Sequence, residues 1–229
     1  MSTIAENIAK VRERIREAAQ ASQRDSEAVG LLAVSKTKPA AAVREASACG
    51  QRDFGENYLQ EALAKQAELA DLDLVWHFIG PIQSNKTKPI AEHFHWVHSV
   101  DRLKVAQRLS EQRPAHLPPL NVCLQVNVSG EASKSGCTPE ELQGLAQAVT
   151  QLPGLRLRGL MTIPEPTDDA QAQHAPLARL RQLRDSLNLD LDTLSMGMSQ
   201  DLEAAIAEGA TWVRIGTALF GARDYGSPL

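Results

Sequence analysis

From Gly30 to near the end of the chain, short apolar runs alternate with longer segments of helical period, and the pattern repeats eight times. Each run is too short for an independent helix and suits a strand buried on both faces. The expected strands are residues 30–35, 53–55, 74–79, 94–100, 120–128, 155–162, 193–196 and 211–215. The segments between them read as helices, so consecutive strands must run parallel through helical crossovers. Eight such units fit a closed (β/α)8 TIM-type barrel. An open doubly wound sheet is the structural alternative, but no GxGxxG turn follows the first strand. Ile4, Ile8, Val11 and Ile15 recur at helical spacing, which adds a helix over residues 2–20 ahead of the barrel. Pro39 is placed for a first helical turn, Gly50 for a stop, Asp101 for an N-cap and Pro139 for a helix start. Ser199 is expected to open a helix running to about residue 208. With no linker or low-complexity segment, residues 1–229 read as one domain.

Composition narrows the function classes. Apolar residues make up 43% and charged residues 23% of 229, with a formal net charge of −4, as in a soluble globular chain. No basic run supports nucleic acid as the main partner. Cys49, Cys123 and Cys137 show no CxxC pairing, and their odd number suits free thiols in a reducing compartment. No apolar stretch approaches the roughly 20 residues of a membrane span. The N-terminal segment has no signal-type apolar core and carries Glu6, Glu13 and Glu17. The expected location is the cytoplasm.

In a barrel of this type, functional groups gather at the C-terminal ends of the strands. Lys36 follows the first strand in AVSKTKP, where its amine would stand at the mouth. A lysine amine forms Schiff bases with aldehydes once deprotonated, and nearby Lys38 would help to lower its pKa. A lysine after a strand is, however, more often a solvated surface group. Three further features bear on it. Ser199 sits at the turn after the seventh strand, where free backbone N–H groups favour an anion; a plain N-cap is the simpler reading. Gly216 and Thr217 end the eighth strand, and barrels often bind phosphate after strands seven and eight. Arg214 shares the inward strand face with Gly216 by period-two alternation, with Val213 and Ile215 facing the outer helices. A buried arginine needs a partner, which a heteroaromatic nitrogen, a carboxylate or a structural ion pair could provide. Barrel closure sets the eighth strand beside the first, so one small ligand could reach all three places.

These residues stand in segments that resemble the pyridoxal phosphate homeostasis proteins, the proline synthetase co-transcribed homologues. The segments are AVSKTKP, DFGENYLQE, WHFIGPIQSNK, VNVSGEASKSG, LRGLMTIP, LSMGMSQDLEAAI and VRIGTALFG, in that order over most of the chain. WHFIGPIQSNK is the most specific of them. The resemblance implies the barrel of alanine racemase and of fold-type III decarboxylases, with pyridoxal 5′-phosphate (PLP) as cofactor. It makes Lys36 the Schiff-base lysine, Ser199, Gly216 and Thr217 the phosphate site, and Arg214 the residue facing the pyridine nitrogen. It also implies that Asn57, His77, Ile79 and Met196 line the cofactor.

The resemblance implies cofactor binding and homeostasis rather than a defined reaction. An arginine at the pyridine nitrogen leaves that nitrogen unprotonated and the ring a weaker electron sink. Racemases of this fold also use a tyrosine from a second domain. Here Tyr58 lies at a helix start, Tyr225 lies in the tail, and there is no room for that domain. A PLP carrier is therefore expected, with apo-PLP enzymes as conceivable recipients and a monomeric state. A small amino-acid racemase or decarboxylase is the alternative. Lys38 and Lys134 are candidates for a secondary PLP site. His93, His95 and His98 resemble a metal cluster, but on one strand the third would point away from the first two, and no acidic or cysteine partner completes a tetrahedral site.

Overall fold

The computed structural model describes residues 1–130, 132 and 135–222. It forms a closed barrel in which eight strands follow one another in chain order. The strands are β1 (Gly30–Val34), β2 (Asp53–Glu56), β3 (Val75–Phe78), β4 (Trp96–Val100), β5 (Leu120–Gln125), β6 (Leu155–Met161), β7 (Thr193–Ser195) and β8 (Trp212–Ile215). All neighbouring pairs are parallel, and β1 pairs with β8 to close the ring. The helices are α1 (Ile4–Ala21), α2 (Ala40–Ala48), α3 (Leu59–Glu68), α4 (Thr87–His93), α5 (Leu103–Gln112), α6 (Pro139–Thr150), α7 (Ala170–Ser186), α8 (Leu202–Ala207) and α9 (Thr217–Phe220). Each of α2 to α9 follows one strand, as the alternation requires.

The opening helix is built as its sequence suggests. Thr3 and Glu6 form a capping box, and Ile8, Val11, Ile15, Ala18 and Ala19 are buried along one face. That face packs on α2, α8 and α9, so α1 covers the seam where the first and last units meet. Outward strand residues such as Val97, Leu124, Leu160, Leu194 and Val213 are buried beneath the helices, in the continuous apolar shell of the fold. Inward residues alternate with them. Trp96, Cys123 and Met161 form a separate apolar cluster in the lumen, and Trp212 meets Trp96 edge-on at 6.0 Å between ring centroids. These side chains fill the lumen toward the N-terminal ends of the strands.

Two expected helix starts move. Asp101 does not cap α5; Arg102 occupies the cap position with extended backbone and binds the Asp101 carboxylate at 2.7 Å. Ser199 does not open α8 either. The cap position belongs to Asp201, whose Oδ1 accepts from the Met198 N–H at 2.7 Å, so the helix begins three residues later. In both places several polar residues compete for one cap, and the path of the strand exit decides among them. Pro39 stands at the cap of α2, one residue ahead of the first turn. β5 ends at Gln125, short of the expected residue 128, and Val126 makes only an isolated bridge to Cys137. His93 ends α4 instead of lying on a strand, and His95 precedes β4 with Nδ1 accepting from the Trp76 N–H. The three histidines therefore never share a strand, which replaces the facing argument drawn from their spacing.

Candidate functional site

At the C-terminal end of the barrel lies a cavity of about 350 Å³, of the size that holds small cofactors. Asn57 after β2, Ile79 after β3, Gln125 at the end of β5 and Arg214 on β8 stand on its wall, with Gly197 and Asp201 from the β7 exit. A smaller cleft of about 40 Å³ is lined by Val34, Lys36, Thr37, Lys38, Gly216 and Thr217. Arg214 on the first and Gly216 on the second are two residues apart on one chain segment, where β8 closes on β1.

Arg214 is 4% exposed. Its guanidinium donates to Ser195 Oγ at 2.8 Å and to the Thr162 carbonyl at 3.0 Å, both neutral oxygens. Among the described residues no carboxylate lies within ion-pair distance of it, so the structural ion pair left open by the sequence is not formed. Burial pulls its pKa down to about 10, with Asp201 opposing the shift through space, and it remains a cation at neutral pH. A buried cation with only neutral partners favours an electron-rich ligand on its open side. Across the cavity, Asn57 Oδ1 is buried and has no hydrogen-bond partner.

The cleft is built differently. Gly216 brings the β8 exit against β1, and a Cβ there would lie 3.3 Å from the Val34 carbonyl. α9 starts at Thr217, and the first N–H groups of a helix have no intrahelical acceptor. Lys36 is half-buried beside them. Below this loop, Lys65 Nζ binds Glu56 Oε1 at 2.7 Å and the Ser35 carbonyl at 2.6 Å, and Ser35 Oγ donates to the same Glu56 oxygen at 2.8 Å. That buried cluster ties the end of β1 to β2 and α3 directly under Lys36.

The expected residues therefore separate into groups. The structure brings Lys36, Gly216 and Thr217 together on the cleft, and Asn57, Ile79 and Arg214 on the cavity. Met196 is fully buried behind Gly197 and lies off both walls. Ser199 sits in a turn outside the cavity wall, with its carbonyl accepting from Arg14 at 3.0 Å. His77 departs furthest from its expected place. It lies deeper in the lumen, fully buried, with one ring nitrogen 2.9 Å from Asp53 and the other 2.9 Å from His98. Gln125, Thr162 and Ser195 carry no signal in the sequence motifs, and His98 stands out there only beside His93 and His95 as a metal candidate. Strict alternation along WVHSV and TLS sets His98 and Ser195 inward, the one signal that could have found them.

Burial lowers the pKa of His77, an effect partly opposed by Asp53, and holds that of His98 well below the usual histidine value. Both rings are neutral in the folded protein at pH 7. The unfolded chain takes up protons below about pH 6.5 and the folded one does not, so stability rises with pH through that window. Lowering the pH from 7 to 5 is expected to cost on the order of 1–2 kcal/mol through His98 alone. Urea melts across that range, compared with those of His98→Asn, measure this; equal pH slopes in the two proteins would contradict it.

A closed barrel with a lysine after its first strand and a glycine turn into a short helix after its last defines a class. The model of the alanine racemase N-terminal domain family matches residues 3–224. A pyridoxal phosphate homeostasis protein of Pseudomonas aeruginosa is 83% identical over 228 residues, covering 100% of this chain and 99% of that one. A protein of the same name from Escherichia coli K12 is 54% identical over 231 residues, covering 98% and 99%. PipY of Synechococcus elongatus PCC7942, solved with PLP bound, superimposes with a TM-score of 0.84 at 43% identity, over 96% of this chain and 100% of that one. The chain belongs to the alanine racemase N-terminal domain family, among its pyridoxal phosphate homeostasis proteins. No helix of the described residues is long and apolar enough to cross a membrane.

Proposed function

We propose that this chain binds PLP at the barrel mouth, holds it as a Schiff base on Lys36, and serves cytoplasmic PLP homeostasis as a carrier. The observation that carries this reading is Arg214, a buried cation with neutral hydrogen-bond partners on the wall of a cavity, two residues before the Gly216 that lines the Lys36 cleft. The residues fit the cofactor. Arg214 offers a donor to the pyridine nitrogen, and Asn57 Oδ1 lacks a partner that a ligand could supply. The amides at Gly216 and Thr217 offer donors to the phosphate. Bound there, PLP supplies an aldehyde that an amine can hold reversibly. Met196, buried behind the cavity wall, would support the cofactor pocket from below, and Ser199 and His77 would act at one remove.

The chain's own groups favour holding over turnover. Arg214 faces the ring as a permanent donor, so it leaves the pyridine nitrogen unprotonated and the electron sink weak. Tyr58, at the cap of α3, is half exposed and lies off both spaces. Tyr225 and Lys134 fall outside the described residues, while Lys38 stands on the cleft with Nζ 2.6 Å from the Ala222 carbonyl. Residues 1–229 act as one PLP-binding barrel and function as a monomer, with apo-PLP enzymes as recipients. Incubation of the PLP-loaded protein with L-amino acids in deuterated water tests the carrier reading. Exchange of the α-proton is expected to stay near the rate given by free PLP. Exchange at enzymatic rates would establish a racemase or decarboxylase instead.

A further inference from the structure

The lumen contains a polar line that binding alone does not require. Starting at the mouth, Arg214 Nη1 lies 2.8 Å from Ser195 Oγ, and Ser195 Oγ lies 2.7 Å from His98 Nδ1. His98 Nε2 lies 2.9 Å from His77 Nδ1, and His77 Nε2 lies 2.9 Å from Asp53 Oδ1. The line crosses from β8 through β7, β4 and β3 to the start of β2. His77, His98 and Ser195 are fully buried, whereas the Asp53 side chain is 28% exposed and borders a cavity at the opposite end of the barrel.

The ends fix the direction of every bond. A guanidinium can only donate and a carboxylate can only accept. With Asp53 accepting from His77 Nε2–H, the neutral His77 ring has Nδ1 as acceptor. His98 must then donate from Nε2, and its own Nδ1 must accept from the Ser195 hydroxyl. Ser195 Oγ in turn accepts from Arg214. One reversed link would leave two donors or two acceptors facing each other inside the barrel. The ring planes are also held: His77 stacks on Trp96 at 5.4 Å and 13°, and meets Trp212 edge-on at 5.0 Å. The lowered pKa values of both histidines agree with neutral rings throughout.

We propose that Ser195, His98, His77 and Asp53 are positioning residues that, through this one-way hydrogen-bonded line, fix the Arg214 guanidinium in the orientation that meets the cofactor's ring nitrogen. The inference rests on the reading of Arg214 as the residue facing that nitrogen. Buried networks with every member satisfied hold a single geometry, and a cation held in this way does not reorganise when the ligand leaves. The site of reversible cofactor binding then keeps its donor in place whether loaded or empty.

The test uses the full chain loaded with PLP carrying ¹⁵N in the ring. The ¹⁵N chemical shift reads the donor at the ring nitrogen, and the visible band on dilution reads the release rate. In Ser195→Ala and His98→Leu the shift is expected to move toward that of a pyridine nitrogen without a donor, with release about tenfold faster. His98→Asn, whose Oδ1 can take the acceptor place of Nδ1, is expected to return the shift to that of the parent and the release rate to within twofold of it. If Ser195→Ala and His98→Leu fail to fold, Asp53→Ala at the partly exposed end is expected to move the shift in the same direction. Folded, loaded variants with an unchanged shift and release within twofold of the parent overturn the inference and leave the functional reading standing. A parent chain that takes up no PLP overturns the functional reading and the inference with it.

Discussion

Replacing Lys36 by alanine is expected to abolish covalent retention of PLP while leaving the barrel folded. The side chain is half-buried at a strand exit, in a cleft of about 40 Å³, so its loss leaves the apolar shell intact. The turn at Gly216 and Thr217 proposed for the phosphate, the Arg214 guanidinium and Asn57 all remain. The cofactor should therefore still bind, but without its reversible bond to the chain. Affinity is expected to fall on the order of a hundredfold, equivalent to about 2.7 kcal/mol. PLP should leave the variant on a desalting column where the parent retains it. Retention equal to the parent would remove Lys36 from the site. Lys38 shares the cleft, so the double variant Lys36→Ala, Lys38→Ala separates residual binding at the second lysine from binding by the phosphate turn alone.

The largest structural effect is expected from Gly159→Ala, at a position on neither the cavity wall nor the cleft. Gly159 lies on β6 opposite Thr193 of β7, and a Cβ placed there would come within 1.7 Å of the Thr193 carbonyl oxygen. That oxygen is backbone, so no rotamer change relieves the contact. β7 is only three residues long, and its registered pairs with β6 are Gly159 to Thr193, Leu160 to Leu194 and Met161 to Ser195. The variant must separate the strands or shift their register, and either change opens the barrel at the strand that carries Ser195. A loss of roughly 4 kcal/mol or more is expected. For a chain of this size that lowers the thermal midpoint by roughly 10 °C or more. A thermal melt within two or three degrees of the parent would mean that β6 and β7 approach less closely than described.

The barrel was legible in the sequence for a physical reason. Strands buried on both faces must be apolar runs, and parallel neighbours must be separated by helices, so the eight runs and their order carried the topology. Arg214 was legible because a charge inside an apolar run has to point somewhere specific. Lys36, Gly216 and Thr217 were legible because strand exits next to one another in the ring converge on one space. The helix starts at Asp101 and Ser199 were not. Several polar residues near a start can each cap it, and the choice depends on how the chain leaves the strand, which Arg102 and Asp201 reveal only in three dimensions.

The lumenal line was hidden for a different reason. His77 and His98 sit in runs rich in tryptophan and valine, where burial is plain but the partners of a buried polar group are not. His77 was expected on the cofactor and is instead two hydrogen bonds away from Ser195. Sequence spacing along one strand could not reveal a chain of contacts that crosses four others. The sequence alone also left open whether Arg214 ends in an ion pair. Among the described residues its partners are the neutral oxygens of Ser195 and Thr162, and they make the open side of the guanidinium the chemically informative feature of the site.

The central claim is that Lys36 holds PLP at this mouth, and a reduced-peptide map tests it most directly. The protein is loaded with PLP, treated with borohydride to fix any imine, digested and sequenced by mass. The cofactor mass is expected on the peptide containing Lys36, and is expected to disappear from the digest of Lys36→Ala. Label confined to other lysines of the parent, or label undiminished in Lys36→Ala, would contradict it.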